Sequence, residues 1–229
     1  LTLGNFVWND ANNNGLFDTG EQGVDGVVVR LLDGSGNPLL DASSNPITTT
    51  TGGGGAYQFT NLRPGTYIVE IAASNFTGSG ALVGLVSSTG TVGGATGPFE
   101  PVTGNSTTNN QDHGTTVTGG AVRTNPVTLG TPGDTTANPD GTGTANLRQD
   151  FGFFRPLALG NFVWTDANNN GLFDTGEQGI DGVVLRLLNG SGNPLLDASN
   201  NPITTTTNGG GAYQFTNLVP GSYIVEVAA

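Results

Sequence analysis

The sequence contains no cysteine, no methionine and no lysine, and it has one histidine, His113. Without cysteine there is no disulfide and no thiol chemistry; without lysine there is no Schiff base and no Lys to Asn isopeptide cross-link to brace a fold. No stretch approaches the roughly 20 apolar residues that a membrane-spanning helix needs. Charged residues make up only 10% of the 229 and are one-sided, 18 acids against 6 arginines, for a net charge of -12. Such a surface argues against nucleic acid or anionic membrane as a partner and suits hard cations. No methionine or basic leader opens the sequence, so targeting information is expected to lie outside it.

What is abundant is glycine (39), threonine (32) and proline (12), a composition that leaves little room for helices and predicts an all-β chain. The dominant feature is a repeat. Residues 1–73 recur as 157–229 with ten substitutions, among them Val24 to Ile180, Val29 to Leu185, Asp33 to Asn189, Thr66 to Ser222 and Ile71 to Val227. The expected organisation is therefore a complete repeat over 1–156 and the first half of a near-identical one over 157–229, in a tandem array that continues beyond both ends.

Within the first repeat, apolar residues alternate at strand spacing. Leu3, Asn5 and Val7 fall on one face and Phe6 and Trp8 on the other, which predicts a strand over 3–9; Val27, Val29 and Leu31 oppose Val28 and Leu32, which predicts another over 26–32. Tyr57 with Phe59, and Tyr67, Val69 and Ile71 after the turn at Asn61–Gly65, give two more. About five strands in the first 70 residues mean a sandwich or barrel. Residues 74–120 lack periodicity and read as long loops with short edge strands, and Gly52–Gly55 reads as a mobile turn. Val122, Val127, Leu129 and the run 147–154, with Phe151, Phe153 and Phe154, should supply the closing strands. The joint at Arg155-Pro156 is short enough to be semi-rigid.

The chemistry is concentrated after the first strand, in Asp10-Ala-Asn12-Asn13-Asn14-Gly15-Leu16-Phe17-Asp18-Thr19-Gly20-Glu21, and again in residues 166–177. A twelve-residue calcium loop uses oxygen ligands at positions 1, 3, 5, 7 (a backbone carbonyl), 9 and 12, with glycine at 6 for the sharp turn. Asp10, Asn12, Asn14, Leu16, Asp18 and Glu21 occupy those positions with Gly15 at the sixth, and Asp166, Asn168, Asn170, Leu172, Asp174 and Glu177 do so with Gly171. Asparagine at two positions lowers the ligand charge and predicts weak to moderate affinity for Ca²⁺. Magnesium, which prefers to keep its waters, suits so many protein ligands less well. The competing reading is a plain hairpin loop, since Asn and Gly favour turns in any case.

Gly4-Asn-Phe-Val-Trp-Asn-Asp10, the calcium loop, Gly23-Val-Asp-Gly-Val-Val-Val29, Gly55-Ala-Tyr-Gln-Phe-Thr-Asn-Leu62, Pro64-Gly-Thr-Tyr-Ile-Val-Glu70 and Asp150-Phe-Gly-Phe153 together resemble the SdrD B-like domain family, the B repeats of bacterial surface proteins. The resemblance implies a Greek-key, prealbumin-like β-sandwich repeated in tandem, binding several calcium ions and working as a rigid spacer in a cell-surface or secreted protein. It further implies calcium sites in later loops, for which Asp112, Asp134 and Asp140 are the candidates.

Other conspicuous residues have plainer readings. His113 has no second His or Cys with which to share a metal and reads as a solvated loop residue. No catalytic triad can be assembled, so no enzyme is expected. Trp8 and Trp164 read as packing residues, with sugar stacking as the alternative. Asn75-Phe-Thr77 and Asn105-Ser-Thr107 satisfy the glycosylation sequon. The function expected is that of a calcium-rigidified structural repeat in an extracellular fibre, stalk or surface layer, touching neighbouring repeats and identical chains. The alternative is an adhesin module that binds a host protein or glycan through residues 74–120, where Phe76 and Phe99 are the only aromatics.

Overall fold

The computed structural model describes residues 1–88, 111–135, 143–197 and 199–228. The chain divides into two compact units, Leu1–Arg155 and Pro156–Ala229. In the first, β1 (Thr2–Asn9) leads into the loop of residues 10–21, which β2 (Gln22–Gly23) closes. There follow β3 (Val28–Asp33), β4 (Thr48–Thr50), β5 (Ala56–Phe59), β6 (Gly65–Ile71), a 3-10 turn at Ala73–Phe76 and β7 (Val86–Ser87). β8 (Thr115–Thr116), β9 (Val122–Arg123), β10 (Val127–Leu129), β11 (Ala145–Leu147) and β12 (Phe151–Phe154) complete the unit.

These strands form two sheets face to face. β1 is the middle of one. Along one edge it pairs antiparallel with β5 and β2; along the other it runs parallel to β11 and then β12, with Thr2 opposite Ala145 and Val7 opposite Phe151. The second sheet runs β4-β3-β6-β9-β8, with β10 also on β6. Alternate residues of each sheet meet in one core, including Leu3, Val7, Val29, Leu31, Val69, Ile71, Phe151 and Phe153. The chain is all-β, as composition predicts, and the first unit is a β-sandwich.

The second unit repeats the first half. β13 (Leu157–Phe162) pairs with β16 (Ala212–Leu218), while β14 (Val184–Asn189) lies between β15 (Thr204–Thr206) and β17 (Tyr223–Val227). Leu185, Leu187, Phe215 and Leu218 form its core.

Two expectations need correction. His113 is not solvated: it is fully buried, because its backbone N–H donates to the carbonyl of Asp150 and draws the segment under the closing strand. The turn at 52–55 is tied down, with the N–H groups of Gly54 and Gly55 donating to Asp25 Oδ1 at 2.9 and 2.6 Å. Asn75, in a segment that satisfies the glycosylation sequon, is buried and its amide is fully engaged: Oδ1 accepts from Val28 N, and Nδ2 donates to the carbonyls of Val28 and Ala72. Phe76 likewise turns inward, its ring 5.6 Å from that of Phe153. Asn105 and Phe99 lie outside the described residues.

Candidate functional site: the loop after the first strand

The loop of residues 10–21 leaves β1 at Asp10 and returns as β2, so its two ends are fixed by one antiparallel pair, Asn9 opposite Gln22. Its interior is organised by side-chain oxygens that cap backbone N–H groups. Asp10 accepts from Asn14 N (3.1 Å) and Gly15 N (2.8 Å), Asn12 Oδ1 from Asn14 N (2.9 Å), and Asn14 Oδ1 from Leu16 N (2.8 Å). Such Asx turns suit short polar side chains, and the tight wrap needs Gly15 at a φ of 74°. Glu21 reaches back across the loop, Oε1 accepting from Ala11 N (2.8 Å) and Oε2 from Asp18 N (3.1 Å).

The side chains the spacing singled out thus come together. Asn12 Nδ2 and Asn14 Nδ2 both donate to Asp18 Oδ2, at 3.0 and 2.8 Å. Burial raises the Glu21 carboxyl above its usual range; the N–H groups of Asp18 and Ala11 oppose this, and the charges of Asp10 and Asp18 add to it. Three carboxylates within electrostatic reach of one another are an arrangement that a cation relieves. Phe17 pins the loop to β1, its ring 4.5 Å from Phe6 and 6.2 Å from Trp8. From beneath, Ser88 Oγ donates to the buried Asp10 Oδ2 at 2.7 Å.

The second unit reproduces the pattern. Asp166 accepts from Asn170 N and Gly171 N, Asn168 Nδ2 and Asn170 Nδ2 donate to Asp174 Oδ2 at 2.9 and 2.7 Å, and Glu177 accepts from Ala167 N and Asp174 N. Those two amide donors hold the Asp174 carboxyl below its usual range. Leu172, at the position that offers a backbone carbonyl, donates its own N–H to Asn170 Oδ1.

The donor chemistry fits a hard cation. Each loop offers three carboxylates, two amide oxygens that retain a lone pair after capping one N–H, and a carbonyl, and calcium takes six to eight oxygens. Among the described residues no group of three or more His, Cys, Asp or Glu side chains is close enough to hold a metal by itself. The loop centre is instead built by two amides around Asp18, or Asp174, with the other two carboxylates at its flanks.

Of the further candidates, two fall among the described residues. Asp112 is buried, its Oδ1 accepting from Gly114 N and Gly152 N, and its backbone N–H donates to Gly15 O in the first loop. Asp134 is half-buried, with its N–H on the carbonyl of Thr131. Asp140 lies outside the described residues. Ser88, which braces Asp10, was not legible in the sequence, since nothing local links residues 78 positions apart.

The SdrD B-like domain model matches residues 1–117 and 157–229. Serine-aspartate repeat-containing protein F of Staphylococcus epidermidis is 34% identical over 226 residues, 98% of this chain and 10% of that protein. Serine-aspartate repeat-containing protein D of Staphylococcus aureus strain Newman is 34% identical over 226 residues, 98% of this chain and 13% of that protein. The chain therefore spans about a tenth of the length of these relatives. Among solved structures, GBS52, the minor pilin of Streptococcus agalactiae, is 11% identical with a TM-score of 0.30, over 100% of this chain and 83% of that one. The Bacillus anthracis TIE protein is 10% identical with a TM-score of 0.31, over 100% and 29%. Superposition this loose adds nothing to the fold described above. With both units matched by one family model and identity of 34% along nearly all of its length, the chain belongs to the SdrD B-like domain family.

Proposed function

We propose that this chain is a structural repeat of an extracellular or cell-surface fibre, and that each of its two loops, 10–21 and 166–177, holds a calcium ion that stiffens the unit. The observation that carries the reading is that the same donor geometry recurs in both units, although the surroundings of the two loops differ. Asp10, Asn12, Asn14, Asp18 and Glu21 with the carbonyl of Leu16 would hold the ion in the first unit, and Asp166, Asn168, Asn170, Asp174 and Glu177 with that of Leu172 in the second. The ion supplies positive charge that offsets repulsion among the carboxylates. The chain's part is mechanical: Glu21 ties the end of the loop to its start through Ala11 N, and Phe17 fixes the middle of the loop on Phe6 and Trp8. Near-identical units in tandem suit a polymer whose joints must all be alike. Membership in a family of surface-protein repeats supports a structural role over an enzymatic one.

The test is thermal unfolding of the whole chain in millimolar calcium and in excess chelator, for the native sequence and for Glu21→Ala with Glu177→Ala. Saturation 100-fold above the dissociation constant adds about 2.7 kcal/mol to stability, so chelation should lower the midpoint by several degrees in the native chain and much less in the double variant. Equal midpoints in both conditions would sink the calcium mechanism. The adhesin alternative is weakened by Phe76, whose ring packs on Phe153 in the core rather than facing a partner.

A further inference from the structure

Asparagine is followed by glycine at 14–15, 170–171, 189–190 and 208–209. In such a pair the glycine nitrogen can attack the side-chain carbonyl carbon of the asparagine, because no Cβ on the glycine shields it. The fold treats these pairs differently. At Asn14 and Asn170 the reacting groups are tied down: Gly15 N and Gly171 N donate to Asp10 and Asp166 Oδ2, both at 2.8 Å, and the amide nitrogens donate to Asp18 and Asp174 Oδ2 at 2.8 and 2.7 Å. Nucleophile and leaving group are each held by a carboxylate, whose charge also opposes any negative charge growing on the asparagine oxygen.

Asn189 is arranged the other way. Its Oδ1 accepts from Ser191 N and Asn193 N, both at 3.0 Å, while Asn189 Nδ2 and the exposed Gly190 N–H have no hydrogen-bond partner among the described residues. Two N–H groups aimed at a carbonyl oxygen draw electrons from its carbon and stabilise an oxyanion there. The bond from Ser191 N closes a small ring that contains both Asn189 Cγ and Gly190 N, which keeps the reacting pair together. Asn208 has neither help nor restraint: it is exposed, and its side chain has no hydrogen-bond partner among the described residues.

The first unit displays the product of such a reaction, since Asp33 stands where the second has Asn189. Asp33 Oδ1 accepts from Ser35 N and Asn37 N, both at 2.9 Å, and Asn37 Nδ2 adds a contact to Oδ2 at 3.2 Å. The Asn37 N–H foremost among these donors holds the Asp33 carboxyl below its usual range. The backbone bonds agree too: Asp33 N to Asn37 O and Gly36 N to Asp33 O are 2.9 and 3.0 Å, and their counterparts at Asn189 are 2.8 and 2.9 Å. One turn thus accepts an amide or a carboxylate, and it takes the same form in both units.

We propose that Asn189 is a site of spontaneous deamidation, and that the fold directs the reaction there while shielding Asn14 and Asn170. Gly190 N gives its proton to water and bonds to Asn189 Cγ, and the oxyanion forms against the N–H groups of Ser191 and Asn193. The Cγ–Nδ2 bond then breaks, and Nδ2 takes a proton from water and leaves as ammonia. Water opens the resulting succinimide at Cγ to give aspartate, or at the backbone carbonyl to give isoaspartate. Aspartate makes the second turn the same as the first and adds one negative charge to the net -12. The inference rests on neither the calcium nor the fibre reading.

The experiment ages the full chain in mildly alkaline, calcium-containing buffer, with and without urea, and follows each asparagine by peptide mass mapping. In urea the pairs should react at similar rates, since glycine follows each alike. In the folded chain Asn189 should react at least tenfold faster than Asn14 and Asn170, and no slower than Asn208; these last two sites lie outside the loops, so comparing Asn189 with Asn208 does not involve the ion. Similar rates at all sites in the folded chain, or Asn189 slower than Asn208, would overturn the proposal. The product is tested separately with Asn189→Asp, whose unfolding midpoint, read from Trp164 fluorescence in a Trp8→Phe background, should be no lower than that of the same chain with Asn189. A lower midpoint would refute the turn's acceptance of the carboxylate.

Discussion

Replacing Asn75 by aspartate removes two hydrogen-bond donors from the interior without changing the volume of the side chain. In the native unit the three bonds of the Asn75 amide, to Val28 N, Val28 O and Ala72 O, are each 2.8 Å. The side chain acts on Val28 as a neighbouring strand residue would, pairing with both its N–H and its C=O, and so anchors the start of β3 to the turn after β6. Aspartate can still accept from Val28 N, but it sets a carboxylate against two carbonyls. Leaving a buried polar group unpaired costs about 1–3 kcal/mol, and burying the charge adds to it. Val28 O keeps a second donor, Ala72 N at 3.2 Å, which moderates the loss. We therefore expect Asn75→Asp to lower stability by about 3 kcal/mol at pH 7. Burial without donors raises the folded-state pKa of the new carboxyl above its unfolded value of about 3.9. The folded variant then holds a proton that the unfolded chain has released, so its deficit should shrink as the pH falls from 7 towards 4. Urea unfolding followed by Trp8 fluorescence in a Trp164→Phe background reports on the first unit alone. A deficit under about 1 kcal/mol, or one that does not narrow at lower pH, would refute the assigned role.

Glu70 is buried and bridges Arg30 (3.1 Å) and Arg123 (2.8 Å), so Glu70→Gln should cost about 2–4 kcal/mol by leaving two guanidinium groups undercompensated. Its counterpart Glu226 has a side chain 43% exposed and, among the described residues, pairs with Arg186 alone, so Glu226→Gln should cost under about 1 kcal/mol in the same urea assay. His113 donates from Nδ1 to the Gln111 carbonyl at 2.8 Å and buries Nε2 with no partner among the described residues, and burial lowers its pKa to about 4. Its neutral form is favoured by folding, so the stability it contributes is full above the unfolded pKa of about 6.5 and is lost as pH falls towards 4. About 2 kcal/mol should disappear between pH 7 and pH 5, and a pH series of unfolding midpoints should be flatter for His113→Gln. Phe17→Ala removes the ring that holds the loop to Phe6 and Trp8; hydrogen exchange at Gly15 and Leu16 should quicken at least tenfold while exchange in β6 stays unchanged.

Much of the sandwich is legible because strand periodicity is local. The expected strand over 3–9 is β1, and those at Tyr57–Phe59 and Tyr67–Ile71 fall within β5 and β6. The strand expected over 26–32 is shifted, since Thr51 Oγ1 takes Val27 N and ladder pairing starts only at Val28. What the sequence hides is pairing over distance: nothing local announces that Thr2 lies beside Ala145, and this contact decides which polar residues are buried. His113 reads as solvated for that reason, and nothing local shows that Asn75 is buried. An eight-residue echo, Leu31–Pro38 and Leu39–Pro46, also passes unremarked among the turn residues. In the fold the first residue of each copy and Ile47, which follows the second, close a ring of backbone bonds, Leu39 N to Leu31 O, Ile47 N to Leu39 O and Leu31 N to Ile47 O. Asp33 and Asp41 cap the two turns, and the N–H donors around each carboxylate hold its pKa down.

The loops are the opposite case, and the comparison between the units explains why. Asp10 and Asn13 are buried, and Phe17 rests on β1 in a finished sandwich; in the second unit Asn169 and Phe173 are exposed and Asp166 is half-exposed. Yet the bond from Gly15 to Asp10 Oδ2 and that from Gly171 to Asp166 Oδ2 are both 2.8 Å, and the amide contacts to Asp18 and Asp174 differ by 0.1 Å. Loop geometry is thus set within twelve residues by Asx turns, the glycine and the returning glutamate, and does not wait for the closing strands. If so, calcium should stabilise both units, and Glu177→Ala should weaken the second as Glu21→Ala weakens the first. A calcium effect confined to the first unit, read from Trp8 and Trp164 separately, would mean instead that the loop requires the burial of Asp10 by Ser88 and the strands around it.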